Sequence, residues 1–145
     1  MKNLDEVLKK EGYKKLKFKV SKTQHLLLKA KINGVIGNFI LDTGASNSCV
    51  GFESIEHFNL KAGKSKSKAA GAGATGMFTQ IAKHNSLKIG RWKSDDFHLI
   101  IFDMSHVNDA LTQYKAKTVN GIIGADVLLD GKAIIDYANQ CFYLK

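Results

Sequence analysis

At 145 residues the chain has the length of one domain and can bury a real hydrophobic core. Its 22 Lys and Arg against 13 acidic residues leave a net charge of +9, which raises nucleic acid as a partner. Two cysteines, Cys49 and Cys141, are too few for a disulfide framework. No run approaches the ~18 apolar residues of a membrane span, and Met1-Lys2-Asn3-Leu4-Asp5-Glu6 holds no apolar signal region. A soluble, cytoplasmic protein without membrane contact is therefore expected.

Leu4, Val7 and Leu8 fall at helical spacing and Gly12 follows as a C-terminal stop, so residues 3–11 read as a short amphipathic helix. Strands are expected over Leu16 to Val20 and Leu26 to Ile32, split by the polar Ser21-Lys22-Thr23-Gln24. Leu16-Lys17-Phe18-Lys19-Val20 alternates with a period of two, which makes its lysines a solvated strand face. The aromatic residues interleave with apolar positions and not with the lysines, so no nucleic acid is expected. Asn33-Gly34 is a tight-hairpin dipeptide and turns the chain into Val35 to Leu41.

That strand ends on Asp42. An ionisable side chain at the end of a buried strand is costly unless it is paired or used. The chain then turns through Thr43 and Gly44, with Gly44 free to take backbone angles closed to other residues. Ala45 and Ser46 are small enough to line a cleft floor. The arrangement presents a single carboxylate.

Phe52, Ile55, Phe58 and Leu60 suggest a short helix or an irregular turn. Between Ala69 and Gly76 no side chain exceeds threonine in size. Gly71, Gly73 and Gly76 spell the dinucleotide-binding spacing, but that fingerprint needs a buried strand just before it. Lys64-Ser65-Lys66-Ser67-Lys68 is not one. Gly63-Lys64-Ser65 likewise lacks the first glycine of a P-loop, where Phe58 stands. Gly71, Ala72, Gly73, Ala74, Thr75 and Gly76 instead suit the flexible tip of a β-hairpin flap.

Further strands are expected over Met77 to Lys83, Ser86 to Ile89 and Phe97 to Phe102. Ser105 then caps a helix with Val107, Ala110, Leu111 and Tyr114 on one face. In Asn120-Gly121-Ile122-Ile123-Gly124-Ala125-Asp126-Val127-Leu128, two apolar residues and a glycine lead into a short helix. Ala133 to Tyr137 and Gln140 to Leu144 form a closing hairpin around Ala138-Asn139. The two cysteines read as small buried apolar residues. The five histidines show no metal-ligand spacing, and no metal or cofactor is expected. The fold class is mostly β with short helices.

Ile40-Leu41-Asp42-Thr43-Gly44-Ala45-Ser46 resembles the active-site loop of aspartic proteases, and Asn120 to Leu128 resembles the second signature of their single-lobed, retropepsin-like branch. The likeness runs from about Leu26 to Leu144, so residues 21–145 are expected to form the protease domain and residues 1–20 an N-terminal extension of helix and strand. The resemblance implies a retropepsin-like acid-protease β-barrel with Asp42 as the catalytic carboxylate. Thr43 would bond across a dimer axis, while Gly121, Ile122, Ile123 and Gly124 would hold the Asp42 loop. The chain has one Asp-Thr-Gly triplet where a two-lobed enzyme has two, so it supplies half an active site. A second copy in a two-fold homodimer would complete it. A water between the two Asp42 carboxylates would then attack a peptide or protein substrate held extended.

Retroviral members carry an arginine after the second glycine and an aspartate after Asp-Thr-Gly-Ala. Here those positions hold Ala125 and Ser46, which places the chain nearer the bacterial and cellular relatives. The alternative is a non-proteolytic dimerisation or peptide-binding module on the same fold.

Overall fold

The computed structural model of the protein describes residues 3–64 and 78–145. Helix α1 (Leu4–Lys10) starts at Asn3, whose side chain accepts the Glu6 amide at 2.9 Å. It ends two residues before Gly12, which takes the left-handed φ of 89° that a helix stop requires. The chain continues through β1 (Lys14–Lys17), β2 (Lys19–Val20), β3 (Leu26–Ile32), β4 (Val35–Leu41), β5 (Cys49–Gly51), α2 (Ser54–His57) and β6 (Ala62–Lys64). After the undescribed stretch come β7 (Gln80–Ile89), β8 (Trp92–Phe102), α3 (Ser105–Gln113), β9 (Gly121–Ile123), α4 (Ala125–Asp130), β10 (Ile134–Asp136) and β11 (Cys141–Leu144).

Two sheets form. The small one has the order β1-β11-β10, all antiparallel, with α1 packed on it through Leu8 against Cys141 and Tyr143. The large one runs β2-β3-β4-β9-β5-β8-β7-β6 and closes on itself where β3 also pairs with β7, Lys31 opposite Lys88 and Ile32 opposite Leu87. The closed ring contains β3, β4, β9, β5, β8 and β7. The molecule is a closed six-stranded barrel, mostly β with short helices.

Alternation explains which residues fill it. In β3, Leu26, Leu28, Ala30 and Ile32 point inward while Lys29 and Lys31 face water. The β3–β4 hairpin turns at Asn33 and Gly34, both at positive φ (52° and 81°), as a type I′ turn demands. In β4 the alternation gives way to the apolar run Phe39-Ile40-Leu41, because the strand is covered on both faces. Phe39 and Leu41 join the barrel core; Ile40 joins a second cluster with Cys49, Phe102, Met104, Leu111, Val119 and Ile122 under α3. Both cysteines are free and buried, as small apolar residues.

Several elements differ from the sequence expectation. The single strand expected over Leu16 to Val20 divides at Phe18, whose amide bonds to Gln140 O at 3.2 Å. β1 joins the small sheet and β2 the large one, so residues 14–20 tie the two together. The two strands expected between Met77 and Ile89 are one, β7, irregular between Ala82 and Leu87. β8 begins at Trp92, five residues earlier than expected, since pairing with β7 overrides its polar Lys93-Ser94-Asp95-Asp96 start. At α3 the N-cap position falls on Met104 and not on Ser105, without a side-chain cap, while the Ser105 amide donates to Asp103 Oδ1 at 2.8 Å. On that helix Leu111 is buried and Val107 half-buried, while Ala110 and Tyr114 face solvent. The flap expected over Gly71 to Gly76 lies outside the described residues.

Candidate active site

The two motifs meet through parallel pairing of β4 with β9: Phe39 lies opposite Gly121, Ile40 opposite Ile122 and Leu41 opposite Ile123. Asp42 is the next residue, and its amide donates to Ile123 O at 2.9 Å. On its other side β9 pairs antiparallel with β5, Val50 opposite Gly121. That crossing admits only glycine at 121, since a Cβ there would sit 2.0 Å from Cys49 O. Ile122 packs into the cluster under α3 and Ile123 into the barrel core, so both brace the loop from behind.

Asp42 itself is half-buried at the mouth of the loop. Its Oδ1 accepts the Gly44 amide at 2.8 Å, and its carbonyl accepts the Ala45 amide at 3.3 Å. Among the described residues no second carboxyl is hydrogen-bonded to it. Thr43, Gly44 and Ser46 are exposed, and Ala45 is half-buried. Gly44 does not use a left-handed backbone angle, contrary to the expectation from sequence. Its constraint is proximity, because a Cβ would approach Asp42 Oδ1 to 3.3 Å while the amide next to it grips the same oxygen.

The second motif holds the far side of the loop. The Ala125 amide donates to Ala45 O at 2.7 Å, and a Cβ on Gly124 would come within 2.6 Å of that oxygen. Two further residues complete the brace. Ser48 is fully buried; its amide donates to Asp126 Oδ2 at 2.9 Å and its hydroxyl to Asp126 Oδ1 at 2.7 Å, while Ser48 Oγ accepts the Gly124 amide at 2.9 Å. Sequence reasoning gave neither residue a role. The available signal was an acid, Asp126, in the first turn of a helix whose next three residues are apolar. Beside the loop, burial pushes the Cys49 thiol up to about 12, so it stays protonated and unreactive.

Residues 28–127 match the profile of the aspartyl protease family over both motifs. The chain belongs to this family. It is an aspartic-type peptidase.

Solved structures similar to this protease include a retropepsin-like aspartic protease from Rickettsia conorii, at 17% identity with a TM-score of 0.59, covering 91% of each chain. The EIAV protease complexed with the inhibitor HBY-793 aligns at 17% identity and a TM-score of 0.56, covering 77% of this chain and 92% of the other. The retroviral protease-like domain of Ddi1 from Leishmania major aligns at 17% identity and a TM-score of 0.56, covering 83% and 88%. No curated protein matched the chain by sequence. No described helix is long and apolar enough to cross a membrane.

Proposed function

We propose that the protein is an endopeptidase that works as a homodimer, with one Asp42 from each copy forming the catalytic pair. One observation carries this reading. The chain holds a single Asp-Thr-Gly triplet, and its carboxyl stands half-exposed on a braced loop without an acidic partner among the described residues. Two such carboxyls brought within hydrogen-bonding reach cannot both carry charge cheaply, so the pair holds one proton between them. The ionised member takes a proton from the attacking water; the protonated one polarises the scissile carbonyl and later serves the leaving amine. Neither a metal nor a covalent intermediate is required. In this reading Thr43, exposed beside Asp42, bonds across the axis to the second loop.

Mixing tests the half-site. Asp42→Asn subunits are added in increasing proportion to wild-type protein, equilibrated, and peptide hydrolysis is followed. Shared sites make activity fall as the square of the wild-type fraction, because only pairs of intact subunits turn over. A fall linear in that fraction would mean that each chain carries a whole site.

A further inference from the structure

The outer face of the β7–β8 hairpin gathers His84, Asp96 and His98, whose ligand atoms all lie within 4.8 Å of one another. Asp96 Oδ1 is 2.6 Å from His84 Nδ1 and 4.0 Å from His98 Nε2. The two imidazoles stand nearly perpendicular, their centroids 5.2 Å apart. Asp96 and His98 are two apart on β8, so alternation puts both outward while Phe97 between them is buried.

His84 reaches the same face only through a backbone irregularity. Regular alternation from the buried Ala82 would turn residue 84 inward; instead Lys83 and His84 are both exposed and Asn85 is buried. The ladder slips between Ala82 and Leu87, and His84 takes a φ of 60°, uncommon for any side-chain-bearing residue. Asn85 seals the slip by donating its side-chain amide to Ala82 O at 3.1 Å and Phe97 O at 3.3 Å. A bulge sealed by a buried amide, with a strained histidine aimed at an acid and a second histidine, is a built arrangement.

We propose that His84, Asp96 and His98 form a binding site for a divalent transition-metal ion of the zinc class, outside the catalytic loop. Two imidazoles and a carboxylate are an established zinc donor set with a fourth position left to water. The side chains are 75%, 68% and 45% exposed, respectively, and can turn to the ~2.0–2.1 Å contacts that zinc requires. Two hydrogen bonds give way on binding. His84 Nδ1 releases Asp96, and His98 Nδ1 releases the His84 amide that it accepts at 3.2 Å. The freed amide is at the surface and turns to water. The bound ion ties β7 to β8 where their ladder is out of register. The three ligands lie on β7 and β8 and not on β4 or the Asp42 loop, and the proposed hydrolysis uses none of them.

Zinc titration of the untagged chain by calorimetry, paired with amide NMR, tests the site. One Zn2+ per chain is expected, with a shift of the His84 amide resonance, a rise in melting temperature, and no response to Mg2+. His98→Ala sits in regular strand, and His84→Gly suits the positive φ, so both should fold. Each should lose at least about tenfold in zinc affinity along with the thermal shift. The proposal is overturned if wild-type protein takes up no zinc, if either variant binds it undiminished, or if Mg2+ is bound equally well.

Discussion

Ser48 is where the active-site loop and the second motif are locked together. Its Oγ donates to Asp126 and accepts the Gly124 amide, so Ser48→Ala leaves that buried amide unpaired. The loss should destabilise the fold by about 1–3 kcal/mol, read as a lowered urea midpoint. An unchanged midpoint would show that the clamp contributes nothing. Gly124→Ala places a Cβ 2.6 Å from Ala45 O, a backbone atom that cannot swing aside. It should cost about 1–3 kcal/mol and reduce turnover, since the displaced loop carries Asp42. Asp42→Asn is different in kind. It is nearly isosteric and keeps an oxygen for the Gly44 amide, so hydrolysis should vanish while the urea midpoint stays put or rises. Hydrolysis by a pure Asp42→Asn sample would end the assignment.

Among the elements, α1 is docked by one acid. Asp5 accepts the Tyr143 hydroxyl and lies 2.9 Å from Lys15 Nζ, linking the helix to β11 and β1. The Tyr143 hydrogen bond first, and the Lys15 contact second, hold its carboxyl below the usual value. A depressed folded value contributes stability above the unfolded pKa of about 3.9, and that contribution is lost as pH falls through the folded value. Acid should therefore loosen α1 from the small sheet before the barrel unfolds. Hydrogen exchange at Leu8 across an acid series measures it, and Asp5→Asn should remove the pH dependence. Equal protection of α1 and β4 throughout would contradict the scheme.

For the whole molecule, the proposed dimer makes activity a matter of mass action. Specific activity should fall on dilution in step with dissociation seen by sedimentation; a fully active monomer would refute shared sites. Hydrolysis should also require both carboxyls, one from each copy. Chelators and thiol reagents should leave it intact, given a mechanism without metal and a Cys49 thiol pushed up by burial. A statine-type peptide should block it, because an analogue of the tetrahedral intermediate binds more tightly than substrate.

Local chemistry was enough to read much of this protein from its sequence. Asn33-Gly34 encodes its own turn, the Leu26 to Ile32 alternation encodes a half-buried strand, and the motifs around Asp42 and Ile122-Ile123 mark two segments that the fold pairs side by side. These signals are carried by neighbours in the chain. Long-range pairing decided the rest. Phe18 divides an apparently single strand because Gln140 captures its amide, and β8 extends through polar residues because β7 lies beside it. Ser48 meets Asp126 only where the tertiary fold brings distant segments together, and His84 meets Asp96 and His98 only through the bulge in the β7–β8 hairpin. Spacing along a chain records nothing of a contact made by a crossing or a bulge.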